Sequence, residues 1–300
     1  MSNKKYDVII IGGNYAGLSA AMSLGRLLRK VLIIDNNLPC NRQTPHSHNF
    51  LTQDGEEPSE IANIAKKQIA NYKTIEFYNG IAVDGKKIDE GFEITTNNNE
   101  NFLSRKIIFA SGIKDIFPNI KGFSDCWGIS VIHCPYCHGY EFKHQTTGIV
   151  ANGEKAIHLV SIIRNLTDKL SIITSGKANF TDEQFEKLKE NNIEIIEKSI
   201  VEIEHENGLI KQLIFEDGEI KKYEAVYAPV EFKQNTNIPE TLGCEFDENG
   251  YIKVNQTQTN IKGIFACGDN STRMRSVANA VGMGNLAGSM VNNELNLEEF

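Results

Sequence analysis

The 300-residue chain has no long apolar run, no block of basic residues and no second Cys-x-x-Cys. A membrane-spanning helix needs about 20 consecutive apolar residues. The run that opens this chain, Val8 to Ile11, has four. That is also too short for the core of a signal peptide, so a cytoplasmic location and no membrane partner are expected. A net charge of −8 without basic clusters makes nucleic acid and anionic lipid poor partners. Six cysteines in a cytosolic chain suit catalytic or buried thiols better than a disulfide framework. Hydrophobic content of 40% and charged content of 23% leave enough material for two ordinary soluble cores.

The chain opens with a βαβ pattern. Asp7-Val-Ile-Ile-Ile-Gly12 reads as a buried parallel strand, the stretch from Gly17 to Leu28 has helical spacing, and Val31 to Asp35 is the next strand. Between them lies Gly12-Gly13-Asn14-Tyr15-Ala16-Gly17. Gly12 permits a tight turn, Gly17 permits close helix–strand packing, and the helix start offers N–H groups to a pyrophosphate. Asp35 is placed to accept from a ribose hydroxyl. Asn14 stands where a second glycine normally admits the phosphates, so its side chain must turn aside or join the binding. Further on, 59–72 reads as an amphipathic helix and 75–102 as short strands. Lys106 to Gly112 is another buried strand ending in Ala110-Ser111-Gly112. A second βαβ unit begins near Thr147. Near the end, Gly263 to Asp269 is a strand closing on Gly268-Asp269, and 277–293 is a helix rich in small residues.

Midway lies Cys134-Pro135-Tyr136-Cys137-His138. Two thiols at this spacing can open and close one disulfide, and the histidine can accept a proton near neutral pH. Pro135 suits the first turn of a helix, whose N-terminus lowers a thiol pKa. The pattern alone also matches a c-type haem attachment, which requires export. A crowded zinc site that uses His133 as well, and a purely structural pair, are further alternatives. Cys126, Cys244 and Cys267 lie on apolar segments and read as core residues, whereas Cys40 sits in a loop without an assigned role. His46 and His48, also in a loop, line a cofactor or substrate mouth or are simply solvated.

Taken together, Gly12–Gly17 with Asp35, Ala110–Gly112, Trp127-Gly128, Cys134–Glu141 and Phe265–Asp269 resemble the low-molecular-weight thioredoxin reductase family of FAD-dependent pyridine nucleotide-disulfide oxidoreductases. The resemblance implies an α/β fold of two Rossmann-like, three-layer ββα domains, the second inserted into the first. The FAD domain would take 1–115 and 245–300, and the domain carrying the CxxC would take 116–244. It implies FAD contacts from Gly12, Gly13, Asn14, Ala16, Gly17, Asp35, Asn36, Arg42, His48, Ala110, Ser111, Gly112, Gly268, Asp269, Arg275, Ser276 and Val277. It also implies a homodimer, with Cys137 facing the flavin and Cys134 facing a dithiol or disulfide substrate, either a small molecule or a thioredoxin-like protein. No metal is implied.

The second βαβ unit departs from that family. Where Gly-x-Gly-x-x-Ala/Gly would hold a nicotinamide dinucleotide, the chain reads Ala151-Asn152-Gly153-Glu154-Lys155-Ala156. Thr174-Ser175-Gly176 replaces a His-Arg-Arg run, Arg164 is the only arginine between 147 and 240, and Glu231-Phe232-Lys233-Gln234 replaces Gly-x-x-Pro. Glu154 at the helix start would repel a pyrophosphate. NAD(P)H use is therefore doubtful. Histidine after the CxxC is similar to the dithiol oxidase branch of the family, which returns electrons to oxygen. There His138 is expected to take the substrate proton and Glu141 to orient it. A reductase fed by NAD(P)H or ferredoxin is the enzymatic alternative, and a flavin-bound redox sensor is the non-catalytic one.

Overall fold

The strand Lys5–Ile11 is continuously apolar in its second half because both faces of its sheet are covered. In the computed structural model, which describes residues 4–300, it pairs in parallel with Val31–Asp35 and Asn101–Phe109. Ile75–Asn79 extends one side, and Ile264–Ala266 lies parallel to Asn101–Phe109. Gly91–Thr96 and Ala82–Ile88 add an antiparallel edge, giving seven strands. One face carries the helices Tyr15–Gly25, Pro58–Ile69 and Val277–Glu299 over a core that includes Ile10, Leu18, Ile33 and Phe265. The other face buries Ile9, Phe92, Ile94 and Phe109.

The first and last helices cross where glycines of the last helix meet Ala16 and Ala20 of the first. A Cβ on Gly284 would lie 2.1 Å from the Ala16 carbonyl oxygen, and one on Gly288 would lie 2.5 Å from that of Ala20. This explains the small-residue pattern of the last helix. That helix runs to Glu299, six residues beyond the end expected from sequence. Acidic side chains at a helix C-terminus oppose its dipole. Here Lys106, almost fully buried, places its Nζ 2.5 Å from both Glu294 Oε1 and Glu298 Oε1, while Arg105 and Arg29 bind Glu299. Cations from distant parts of the chain thus hold the final turns.

The second unit has a parallel sheet in the order Glu194–Ile196, Leu170–Ile173, Thr147–Val150, Ala225–Tyr227, Val131–Ile132. Gly153–Ile163 and Asp182–Glu190 are its longer helices, the latter started by a Thr181–Gln184 capping box. Ile200–Glu206, Leu209–Phe215 and Ile220–Lys221 form a separate antiparallel sheet. The α/β architecture of two Rossmann-like domains read from the sequence is therefore the one observed.

The divide between the units differs from the expected one. Residues 232–300 go with the first unit, and 43–49 join 115–231 in the second. Ile238, Leu242 and Cys244 pack into the core that contains Phe92 and Ile94, which draws 232–244 into the first unit. The loop at 43–49 meets Gly128, whose Cβ would lie 2.8 Å from Thr44 Oγ1. No helix among the described residues is long and apolar enough to cross a membrane.

Candidate active site

In the first unit the glycine turn forms a cradle. Gly12 has φ +107°, and a Cβ there would lie 2.2 Å from the Ala110 carbonyl oxygen. A Cβ on Gly17 would lie 1.9 Å from the Gly12 carbonyl oxygen. Asn14 is the N-cap of Tyr15–Gly25 but makes no side-chain capping bond. The N–H groups of the first turn therefore remain uncapped by it, as a pyrophosphate requires. Asp35 accepts from Gly13 N at 3.0 Å and from Asn37 N at 3.2 Å, keeping acceptor capacity for a ribose hydroxyl. The turn and uncapped helix start fit the dinucleotide part of FAD.

The other expected FAD contacts divide into two groups. Ala110 N donates to Ile11 O, and Gly268 at φ +84° brings its Cβ position within 3.0 Å of Ala16 Cβ, so both edge the same turn. Asp269 faces Arg275, with Nε 3.8 Å from Oδ2, and Ser276 caps the last helix at Val277 through Asn279 N. Ser111 O accepts from Asn235 Nδ2, beside Gly112 at φ +62°. Asn36 and Arg42 each make a bond within their own loop, Asn36 Oδ1 accepting from Leu38 N and Arg42 Nη1 donating to Pro39 O. Two residues were missed from sequence. Asn270, fully buried, donates from Nδ2 to Phe109 O at 2.9 Å and so ties the Gly268 turn to the central strand. Cys40 is exposed and lies with its Sγ 3.9 Å from Asp269 Oδ2. Asn270 directly follows the Gly-Asp pair, so its place was available to a longer motif. The meeting of Cys40 and Asp269 has no local signal.

In the second unit Cys134 and Cys137 form a disulfide, with Cα atoms 5.3 Å apart. Cys134 is the N-cap of a single helical turn, Pro135–His138, and Cys137 lies within it, just beyond the carboxyl end of Val131–Ile132. Sites in α/β proteins form at the carboxyl ends of parallel strands. The Cys137 and His138 N–H groups donate to Cys134 O, and Gly139 N donates to Pro135 O. Burial, and next the charge of His48, push the His138 imidazole down to about 4. Glu141 acts in the opposite direction but more weakly. Its ion-pair partner is His48, with Nε2 3.5 Å from Oε1, rather than His138 as expected. His48, read from sequence as an FAD contact, lies in the unit that carries the CxxCH. Cys126 and Cys267 are buried, their thiols pushed up to about 11 and about 12, and Cys244 is raised in the same way, in keeping with core roles.

The second nucleotide fold is closed at its helix start. Asn152 Oδ1 accepts from Gly153 N at 2.9 Å and from Asn179 N at 2.8 Å, while its Nδ2 donates to Lys177 O at 2.9 Å. One carboxamide thus caps the helix and pins the 177–179 segment across it. Glu154 adds a carboxylate, held 2.6 Å from Gln184 Nε2.

Two dinucleotide-type folds, one with a glycine cradle at its first helix and the other carrying a CxxC disulfide, define a flavin-linked disulfide oxidoreductase. The pyridine nucleotide-disulphide oxidoreductase family model matches residues 6–284, and the chain belongs to that family. Thioredoxin reductase tcpT of Claviceps purpurea is 31% identical over 96% of this chain and 94% of its own length. Thioredoxin reductase sirT of Leptosphaeria maculans is 29% identical, over 96% and 93%. A solved oxidoreductase from Agrobacterium tumefaciens superposes with a TM-score of 0.92 at 34% identity, covering 98% of this chain and 99% of that one. The chain is accordingly a thioredoxin reductase-like, FAD-dependent enzyme.

Proposed function

We propose that the enzyme oxidises a small dithiol through Cys134 and Cys137, uses FAD with oxygen as acceptor, and does not draw on NADPH. The observation that carries this reading is Asn152, whose carboxamide oxygen takes the Gly153 and Asn179 N–H groups at the helix start where a nicotinamide dinucleotide would place its pyrophosphate. The absence of any arginine but Arg164 between 147 and 240 agrees with it.

In the forward direction a substrate thiolate attacks Cys134 Sγ. A mixed disulfide forms, the Cys134–Cys137 bond breaks, and Cys137 leaves as a thiolate. His138, neutral at pH 7, accepts the proton of the second substrate thiol. That thiolate attacks the substrate sulfur of the mixed disulfide, releasing the substrate disulfide and Cys134 as a thiolate. The cysteine pair now holds two electrons. FAD held by the Gly12–Gly17 cradle, Asp35 and Asp269 would supply the electron sink, and oxygen taking the pair on gives hydrogen peroxide.

The test is anaerobic mixing of the yellow protein with NADPH, NADH or a dithiol while flavin absorbance is followed. Bleaching by dithiol alone, with peroxide formed on admitting air, is expected. Rapid bleaching by NADPH would overturn the oxidase reading. The names of the two fungal relatives favour a second reading, a reductase of thioredoxin or a small disulfide fed by NAD(P)H or ferredoxin. Bleaching by NADPH or reduced ferredoxin, coupled to loss of a thioredoxin disulfide, is its signature.

His138 sets a pH expectation. A base held near 4 is neutral, and so able to accept, throughout the range above about pH 5. With saturating dithiol, the rate of substrate disulfide release, the step His138 serves, should show no inflection near 6.5 and should fall with a midpoint of about 4. His138→Ala should remove that limb and lower the rate above it about 10²-fold, the low end of general-base effects. Stopped-flow rates from pH 3 to pH 8 check both points.

A further inference from the structure

Tyr227 ends the strand Ala225–Tyr227, which pairs in parallel with Val131–Ile132, the strand that leads into the redox turn. Its side chain is 1% exposed, and its hydroxyl has no hydrogen-bond partner among the described residues. A hydroxyl buried in this way costs about 1–3 kcal/mol, and phenylalanine would fill the same space without that cost. The position of the hydroxyl is informative. A Cβ on Gly139 would lie 2.9 Å from the Tyr227 hydroxyl oxygen and 2.4 Å from the Pro135 carbonyl oxygen. The unpaired donor and the first carbonyl of the CxxC turn therefore face the same point. That carbonyl accepts one bond, from Gly139 N at 2.9 Å, and has a second lone pair. Burial, and secondarily the Glu141 charge, hold the phenol protonated, so it stays a donor at every working pH.

We propose that Tyr227 is a redox-linked positioning residue: its hydroxyl lacks an acceptor while Cys134 and Cys137 are bonded and donates to the Pro135 carbonyl once the disulfide opens. Opening the bond is the one covalent change that frees the Pro135–His138 turn, two electrons and two protons converting the disulfide to two thiols. Tyr227 then favours the reduced pair and makes the disulfide a stronger oxidant. The inference needs only that this pair opens and closes, not that the substrate is a dithiol rather than a disulfide.

The experiment equilibrates the FAD-loaded enzyme with oxidised and reduced dithiothreitol and counts free thiols. Tyr227→Phe should shift the thiol–disulfide constant about tenfold toward the disulfide, about 30 mV for a two-electron couple. It should also melt no lower than the native protein when oxidised and lower when reduced. Tyr223→Phe is the control, since the Tyr223 hydroxyl is already paired with Ser171 Oγ at 2.6 Å. It should lower both melting points alike and leave the constant unchanged. A shift below threefold, a shift toward the dithiol, or equal destabilisation of both redox forms by Tyr227→Phe overturns the proposal. Should that variant not fold, an isotope label on the Tyr227 ring carbon bearing the hydroxyl answers in the native protein. Its resonance moves on reduction if an acceptor is gained, and an unmoved resonance overturns the proposal. A pair that dithiothreitol cannot open at all would instead overturn the redox role itself.

Discussion

Cys137→Ser is expected to abolish dithiol turnover, by at least about 1,000-fold, the scale seen when a covalent nucleophile is removed. FAD should remain bound in full. The bond between Cys134 and Cys137 closes a loop of only a few residues. Chain-entropy stabilisation grows with loop size, so losing the bond of so small a loop costs the fold little. The turn is also held by its own backbone bonds, from Cys137 and His138 to Cys134 O and from Gly139 to Pro135 O. The cradle that fits FAD lies in the other unit and does not involve the cysteines. A protein that stays yellow and folded, yet whose flavin no thiol reduces, is the expected outcome. Residual turnover of more than a few per cent would show that electrons enter by another route. Flavin absorbance, free-thiol counts and peroxide yield together measure it.

The second large effect lies in the helix crossing. Gly284→Val forces a branched side chain to within 2.1 Å of the Ala16 carbonyl oxygen, which is backbone on the facing helix. No rotamer relieves that contact, so the helices must separate. The cost should reach about 3 kcal/mol or more, the upper range for overpacking. Ala16 lies in the first turn of Tyr15–Gly25, so moving it also moves the N–H groups aimed at the FAD pyrophosphate. Loss of bound FAD should therefore accompany the loss of stability. Gly282→Ala is the matched control, with nothing within 4 Å of its Cβ position. It should stabilise the helix by about 0.5–1 kcal/mol, since alanine costs less backbone entropy than glycine. Melting curves and the flavin-to-protein ratio of the two variants decide the matter. Equal behaviour would mean that the crossing is softer than its geometry.

The parts legible from sequence were those whose partners are close along the chain. Gly12, Gly17 and Asp35 lie within one βαβ unit, so their spacing alone placed the turn. The same holds for Cys134 to His138. The departure of the second βαβ unit from the family's pattern was visible as missing glycines and arginines. That Asn152 would also bond Lys177 O and Asn179 N was not visible, because it depends on how a later loop folds back. The His48–Glu141 pair joins residues far apart in sequence, so Glu141 was assigned to its neighbour His138 instead. The length of the last helix was underestimated because its acidic end is neutralised by Lys106, Arg105 and Arg29, none of them near it in the chain.

The place of that last helix in the chain bears on the order of assembly. The first unit needs residues 4–42, 50–114 and 232–300, and its last helix supplies Ala287, Val291 and Leu295 to the core. During synthesis from the N-terminus, residues 115–231 are complete long before that helix emerges. The inserted unit can close around Ile149, Ile172 and Tyr227 while its host still exposes the apolar face of Ile10, Leu18 and Ile33. The domain that begins the chain is thus the last to finish. For that interval the nascent protein carries an uncovered apolar sheet face, and chaperones are drawn to surfaces of that kind.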